Sequence, residues 1–162
     1  MKKIVASTAL AFAGFLIAFQ ASAAGVTQTG TFNVNISTTS GCVISSAPTD
    51  VSFSYTAFAT SDVTATPGTF KIKCSDTLPY SLDLDGSGTA GTYSYTDTTT
   101  ALAYSLTLSA TTATGSGADQ TYGIAGLMVK DQGGKCSVAA GGACDNSAAS
   151  ATDKKRTLTI TY

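Results

Sequence analysis

Four cysteines are the residues of this chain whose chemistry is easiest to state: Cys42, Cys74, Cys136 and Cys144. Thiols can form disulfides or hold zinc, but zinc ligands normally include two cysteines with about two to four residues between them. The sequence has no such pair and no His, so we expect no metal site. Four cysteines allow three pairings. We favour Cys42–Cys74 and Cys136–Cys144, because the Gly-rich segment between the last two can turn back on itself easily.

Two glycine-rich stretches resemble ligand-binding loops but lack what those loops need. GSGTAG at 86–91 has the nucleotide-binding glycine spacing, yet that motif opens a helix, whereas the TYSYTD that follows is typical of strand or loop. DLDGSG at 83–88 begins like a calcium loop but lacks the later acidic ligands of an EF-hand. We expect a hairpin connection and a turn, and we predict no cofactor.

Side chains for catalysis are also scarce. There is no His or Glu to act as a general base, and the acidic residues are Asp, most of them in predicted turns. The charge cluster DKKR at 153–156 is expected to be a solvated loop end, with a contact to an anionic group as the alternative. With only 12% charged residues there is no basic patch for nucleic acid. We therefore predict that the protein is not an enzyme, and we predict no catalytic residue.

The first residues are typical of an export signal. MKK supplies positive charge, residues 4–19 are apolar, and small residues at 21–23 offer a cleavage site after Ala23. The apolar stretch is short for a membrane span and no Cys follows it for lipid attachment, so we expect an exported protein without a membrane anchor. The remaining chain carries seven basic against ten acidic residues, and export favours disulfides.

The rest of the sequence alternates between apolar and polar residues, which is typical of strands with one buried face. Thr, Ser and Gly are abundant, and turn signals separate the runs. The predicted fold class is all-β, a sandwich or barrel of one domain. TYGIAGLMV is apolar on both faces, which indicates a central strand or a bulge at a glycine. The predicted strands are 26–36, 51–55, 69–74, 80–84, 102–108, 121–129 and 156–162.

The chain ends in RTLTITY, with Leu158, Ile160 and Tyr162 on one face. We expect no further segment of this chain to lie beside this strand. The early stretch 26–36 alternates too, with Val26, Phe32, Val34 and Ile36 on one face. Periodicity alone leaves open whether this stretch is the first strand of its own sandwich or a strand given to another molecule.

The order of segments resembles the spore coat protein U domain, a family of subunits of archaic, Csu-type chaperone–usher pili. The matching segments are GTFNVNISTTSGC with the first Cys at its end, VSFSY, FKIKCS with the second Cys, YSLDLDGSG, AYSLTLSATTATGSGADQTYGIAGLMV, which resembles the family's next two strands, and the closing RTLTITY. The resemblance covers nearly all of 25–162. One departure is the segment 130–155, which we interpret as an insertion with its own disulfide, Cys136–Cys144.

The resemblance implies an immunoglobulin-like sandwich that lacks its last strand. It implies that 1–23 is a signal peptide, 24–36 a donor strand and 37–162 the pilin domain, with Leu158, Ile160 and Tyr162 on the acceptor edge. A periplasmic chaperone, an outer-membrane usher and neighbouring subunits are the implied partners, and the periplasm and then the cell surface the implied locations. The expected function is a structural pilus subunit that serves adhesion or biofilm formation. The alternatives are a secreted spore or cell coat protein and a small surface- or sugar-binding adhesin.

Overall fold

The computed structural model describes residues 25, 27–139, 141–147 and 154–162. The predicted signal peptide 1–23 and the predicted donor residue Val26 lie outside the described residues. The chain divides into two units, 1–37 and 38–162. In the first unit, residues 27–36 are not assigned to a strand, and Phe32, Val34 and Ile36 are largely exposed.

The second unit is built from strands. They are β1 (Cys42–Ser46), β2 (Val63–Thr64), β3 (Gly68–Cys74), β4 (Pro79–Leu84), β5 (Ser87–Thr89), β6 (Thr92–Thr96), β7 (Ala103–Leu108), β8 (Thr112–Thr114), β9 (Asp119–Met128) and β10 (Leu158–Thr161). In the described part of the chain, no helix has the length and apolar character of a membrane span.

These strands form two open antiparallel sheets. The larger sheet has the order β1-β3-β9-β7-β6-β5, with β2 also paired to β9, and the smaller has the order β10-β4-β8. Both sheets end in open edges. The predicted fold class, an all-β, incomplete immunoglobulin-like sandwich, is confirmed.

Alternating burial builds the core between the sheets. In β3, Phe70, Ile72 and Cys74 are buried while the residues between them are exposed. In β4 the buried set includes Leu82 and Leu84. Each fully buried large apolar side chain contributes about 1.5–3 kcal/mol relative to the exposed state, so both sheets are held together by one apolar layer.

Strand β9 is the central strand that its two apolar faces predicted, because it pairs with β3 and β2 on one side and with β7 on the other. Its glycine at 126 is required by a close approach. A Cβ at Gly126 would lie 2.5 Å from the Phe53 ring and 2.8 Å from the Cβ of Ala65. Those distances are shorter than van der Waals contact, so the segment around Phe53 packs directly onto the β9 backbone.

The segment GSGTAG forms a hairpin, as expected. Ser87–Thr89 is β5, and Thr89 pairs with Thr92 of β6 around a two-residue turn. Ala90 and Gly91 in that turn have φ values of 53° and 80°. Positive φ at both central residues is the mark of a type I′ turn, whose twist suits a two-residue hairpin.

The strands differ from the predicted ones at several segments, and β2, β5, β6 and β8 were not among the predicted strands. Residues 51–55 show the expected alternation of burial, but only Ser52 makes a β-bridge, to Thr66. Cys42–Ser46 is a strand that was not predicted, because one large apolar residue on each face gives no clear period. Residues 27–36, predicted as a strand within 26–36, are not assigned to a strand.

Two disulfides join the cysteines in the favoured pairing. Cys42 and Cys74 lie directly opposite each other on β1 and β3, with their Cα atoms 4.1 Å apart. Cys136 and Cys144 close the short loop within the 130–155 insertion, with Cα atoms 5.5 Å apart. The first disulfide therefore fixes an edge strand to the core, and the second constrains a loop.

Candidate functional site: the open edge of the last strand

Strand β10 lies at the edge of the smaller sheet. It pairs with β4 in antiparallel register, with Leu158 opposite Leu84 and Ile160 opposite Leu82. On its other side, no described strand pairs with β10. An edge strand leaves every second pair of backbone N–H and C=O groups without a strand partner. The predicted acceptor residues Leu158 and Ile160 therefore lie on an edge strand.

Burial is uneven across this pair of strands. Residues opposite each other in a ladder share one face of the sheet, so Leu158 and Ile160 face the core with Leu84 and Leu82. Leu82 is only 2% exposed, whereas Leu158 and Ile160 are half-buried. The third predicted acceptor residue, Tyr162, lies just beyond β10 and is 61% exposed. The core is thus covered up to β4 and incompletely covered at β10.

The larger sheet shows a related feature at its β1 edge. Ile44 lies opposite Ile72 of β3, and Ile72 is fully buried while Ile44 is 44% exposed. The β1 ladder also shifts register between Ile44 and Ser46. Such irregularities are typical of sheet edges. Both edges described here carry a core-facing apolar side chain that a further element could cover.

The start of β10 is held by contacts that the sequence did not reveal. The Arg156 guanidinium lies 4.5 Å above the centre of the Tyr95 ring and 5.9 Å from that of Tyr104, and its Nε donates to the Tyr104 hydroxyl at 3.0 Å. The two tyrosine rings stack with centroids 5.2 Å apart. Thr157 N–H donates to Asp85 Oδ1 at 2.9 Å. The expectation of a solvated loop end at 153–156 is therefore wrong for Arg156, which packs on aromatic rings.

The tyrosines beneath Arg156 belong to β6 and β7 of the larger sheet. Burial raises the pKa of Tyr95 to about 12, and the nearby Asp85 charge raises it further while Arg156 opposes the shift. The Tyr95 hydroxyl is therefore neutral at any ordinary pH. It is buried and makes no hydrogen bond within the described residues, so Tyr95 contributes its ring face, to which a cation is attracted.

A buried carboxylate, Asp97, anchors the insertion. Its Oδ1 accepts from the Thr99 N–H and from both the N–H and the hydroxyl of Thr100, and its Oδ2 accepts from Asn146 Nδ2 at 2.9 Å. Burial opposes ionisation, but these four donors outweigh it and lower the pKa of Asp97. Nothing in the sequence distinguishes Asp97 from the other turn aspartates.

The predicted donor residues lie in the first unit. Phe32, Val34 and Ile36 are 86%, 69% and 87% exposed. Three large apolar side chains on alternate positions of an exposed segment are costly in water. In the described residues, no group of three or more Cys, Asp, Glu or His is placed to hold a metal.

Comparison with known proteins gives one finding. The family model of the Spore Coat Protein U domain matches residues 28–161, which is most of the chain. Neither a curated protein nor a solved structure matches it.

Proposed function

The chain belongs to the spore coat protein U domain family, the family of subunits of Csu-type chaperone–usher pili, and from this premise we propose that it polymerises by donor-strand exchange. The family is a structural one, so this chain is a surface structural protein of the pilus or coat type. The observation that carries the proposal is the half-buried state of Leu158 and Ile160 on an edge strand whose partner side chains, Leu84 and Leu82, are buried.

A strand added along β10 would act in two ways. It would pair with the open backbone groups of the edge, and its apolar side chains would complete the cover over Leu158 and Ile160. The proposed donor is residues 24–36 of another copy. Burial of Val26, Phe32, Val34 and Ile36 would contribute roughly 6–12 kcal/mol, against an ordering cost of about 1–2 kcal/mol for each backbone residue fixed. Assembly is therefore favourable only where the apolar side chains are buried and the backbone groups are hydrogen-bonded at the same time.

The proposed partners follow from this chemistry. Before assembly the open edge is an aggregation hazard, so a periplasmic chaperone would cover it and an outer-membrane usher would exchange chaperone for donor. The exported chain would pass through the periplasm and finish in a surface fibre that serves adhesion or biofilm formation. A coat made by the same strand exchange is the alternative assembly.

A small adhesin is a second candidate function, favoured by Phe58. This ring is 68% exposed at a φ of 58°, a conformation that is strained for a bulky side chain. The loop is held by Phe58 N–H donating to the Gln132 carbonyl at 2.8 Å and Asp131 N–H donating to that of Ala59 at 2.9 Å. A fixed, exposed aromatic ring suits binding to a surface or a sugar. Phe58→Ser would abolish adhesion and spare fibres if this function holds.

Self-complementation tests strand exchange. Residues 24–36 are deleted and a copy of VTQTGTFNVNI is appended after Tyr162 through a flexible linker. The linker gives the appended strand an effective concentration on the order of millimolar, so it should pair with β10 in the same molecule. We expect a soluble monomer that does not polymerise, whereas the deletion alone should aggregate.

The control is the same appended strand with Asp at the copies of Phe32 and Val34, which keeps the length and backbone but cannot enter a core. Size-exclusion chromatography and thermal melting compare the three chains. If the deletion alone is a stable monomer and the appended strand adds no stability, then the sandwich is already complete and the proposed function is wrong.

A further inference from the structure

Strand β10 is anchored unequally along its length. At its start, Arg156 packs on Tyr95 and Tyr104, and the pair of Thr157 and Asp85 extends the ladder through Thr157 N–H to Asp85 Oδ1 and Asp85 N–H to the Thr157 carbonyl at 3.2 Å. At its end, Tyr162 is 61% exposed. The start of the edge that would accept a strand is therefore held by side-chain contacts in addition to the pairing with β4, which continues to Thr161.

The contact at Arg156 joins the two sheets. Arg156 leads directly into β10 of the smaller sheet, whereas Tyr95 and Tyr104 belong to β6 and β7 of the larger sheet. The hydroxyl end of the Tyr95 ring also approaches Gly86 closely, because a Cβ there would lie 2.6 Å from Cζ. Gly86 closely follows β4 in sequence, so the ring contacts both the segment after β4 and the residue that leads into β10.

We propose that Arg156 is a positioning residue for strand addition, since it holds the start of β10 against the larger sheet in the geometry that an incoming strand needs. This inference rests on the proposed function. The reason is preorganisation: a strand whose start is already fixed loses less conformational freedom when a partner pairs with it. A planar guanidinium that stacks and donates at a fixed angle is better suited to this task than an ammonium.

The test measures uptake of a fluorescent synthetic peptide of residues 25–37 by the exported chain, at a concentration too low for polymerisation. Arg156→Gln and Tyr95→Leu each remove the stacked contact, and we expect uptake to slow about 5- to 30-fold. Arg156→Lys should recover part of the rate. Tyr95→Phe keeps the ring face and removes a hydroxyl that makes no hydrogen bond within the described residues, so it should slow uptake less than Tyr95→Leu does.

Two further measurements separate positioning from stability. Ile124→Val in the core of β9 is the control for a general loss of stability, with the melting temperatures of all variants compared. Hydrogen exchange should show faster exchange of the β10 amides in Arg156→Gln and unchanged protection in β3. If Arg156→Gln fails to fold, Arg156→Lys and the two Tyr95 variants carry the same comparison.

The outcomes are distinguishable. A wild-type chain that takes up no peptide overturns the proposed function and this inference with it. If the wild type takes up the peptide and the Arg156 and Tyr95→Leu variants take it up at the wild-type rate, the inference is overturned and the proposed function is not. If Ile124→Val slows peptide uptake as much as an Arg156 variant of the same melting temperature does, the role of Arg156 is merely structural. That result overturns the inference too.

Discussion

Ile160 of β10 lies opposite Leu82 of β4 on the same face of the sheet, yet Leu82 is buried and Ile160 is only half-buried. The difference follows from position, because Leu82 lies on β4, between β10 and β8, whereas Ile160 lies on β10, which pairs with one strand among the described residues. A residue at such an edge gains its full burial energy only when another strand arrives.

This relationship predicts different costs for the same truncation. Leu82→Ala should lower the free energy of unfolding by about 2–5 kcal/mol, as expected for a buried leucine, both in the unassembled chain and in the strand-appended chain. Ile160→Ala should cost clearly less in the unassembled chain and more in the strand-appended chain. Urea unfolding of both chains measures the four values. An equal cost of Ile160→Ala in the two chains would show that nothing covers β10 on strand addition.

Two glycines of β9 make a matched pair. A Cβ at Gly126 would meet the Phe53 ring at 2.5 Å, whereas one at Gly123 would have its nearest neighbours at 3.9 and 4.0 Å. Gly126→Ala should therefore lower the free energy of unfolding by about 1–3 kcal/mol through overpacking. Gly123→Ala should be neutral or stabilise by about 0.4–1 kcal/mol, because it restricts the unfolded chain. Urea unfolding decides, and equal effects would contradict the packing of Phe53 on β9.

Asp97 makes the anchoring of the insertion sensitive to acid. Its pKa is lowered in the folded chain, so ionised Asp97 contributes stability at pH values above its ordinary pKa of about 3.9, and this contribution is lost as the pH falls through the lower folded value. Asp97→Asn places an amide N–H₂ opposite that of Asn146 and removes a charge-assisted hydrogen bond. We expect a loss of about 1.5–3 kcal/mol at neutral pH.

Asp145→Asn is the matched control for Asp97→Asn, because Asp145 is an exposed acceptor in the same insertion. Thermal melting between neutral and strongly acidic pH should show a wild-type advantage over Asp97→Asn that disappears in acid, and little difference for Asp145→Asn. Limited proteolysis should cut the insertion faster in Asp97→Asn. A pH-independent difference between the wild type and Asp97→Asn would show that the charge of Asp97 is not what anchors the insertion.

What the sequence could predict depended on local pattern. Strict alternation identified β3, β4 and β10, and two apolar faces identified the central β9. Every second residue of a strand lies on the same face, so the sequence shows which faces are apolar. The packing of Arg156 on two tyrosine rings could not be predicted this way. Tyr95 and Tyr104 come from distant strands and contact Arg156 only in the folded sheets. Asp97 was missed for the same reason, because its partner Asn146 is far along the chain. Long-range contacts of single polar residues leave no period in a sequence.

The segment 27–36 shows the other limit of periodicity. Its alternation is that of a strand, but the described residues carry no strand there and Phe32 is 86% exposed. A pattern of alternate apolar residues predicts that one face of the segment becomes buried, but it does not indicate which molecule buries that face. The donor assignment of this segment therefore stays a proposal, which substitution of Phe32 can test.

Phe32→Asp should block assembly and leave the subunit folded. In the unassembled chain the exposed Phe32 makes little contribution, so its replacement should change the free energy of unfolding by no more than about 0.5 kcal/mol. In a fibre the carboxylate would have to enter the core of a neighbour unpaired, at a cost of several kcal/mol. Asn33→Asp adds the same charge on the opposite face of the segment and is the control, because it should still polymerise. Size-exclusion chromatography and electron microscopy of the concentrated chains measure assembly. Fibres formed by Phe32→Asp would exclude Phe32 from the donor face, and unfolding of the chaperone-bound Phe32→Asp subunit would place residues 26–36 in the core of their own sandwich.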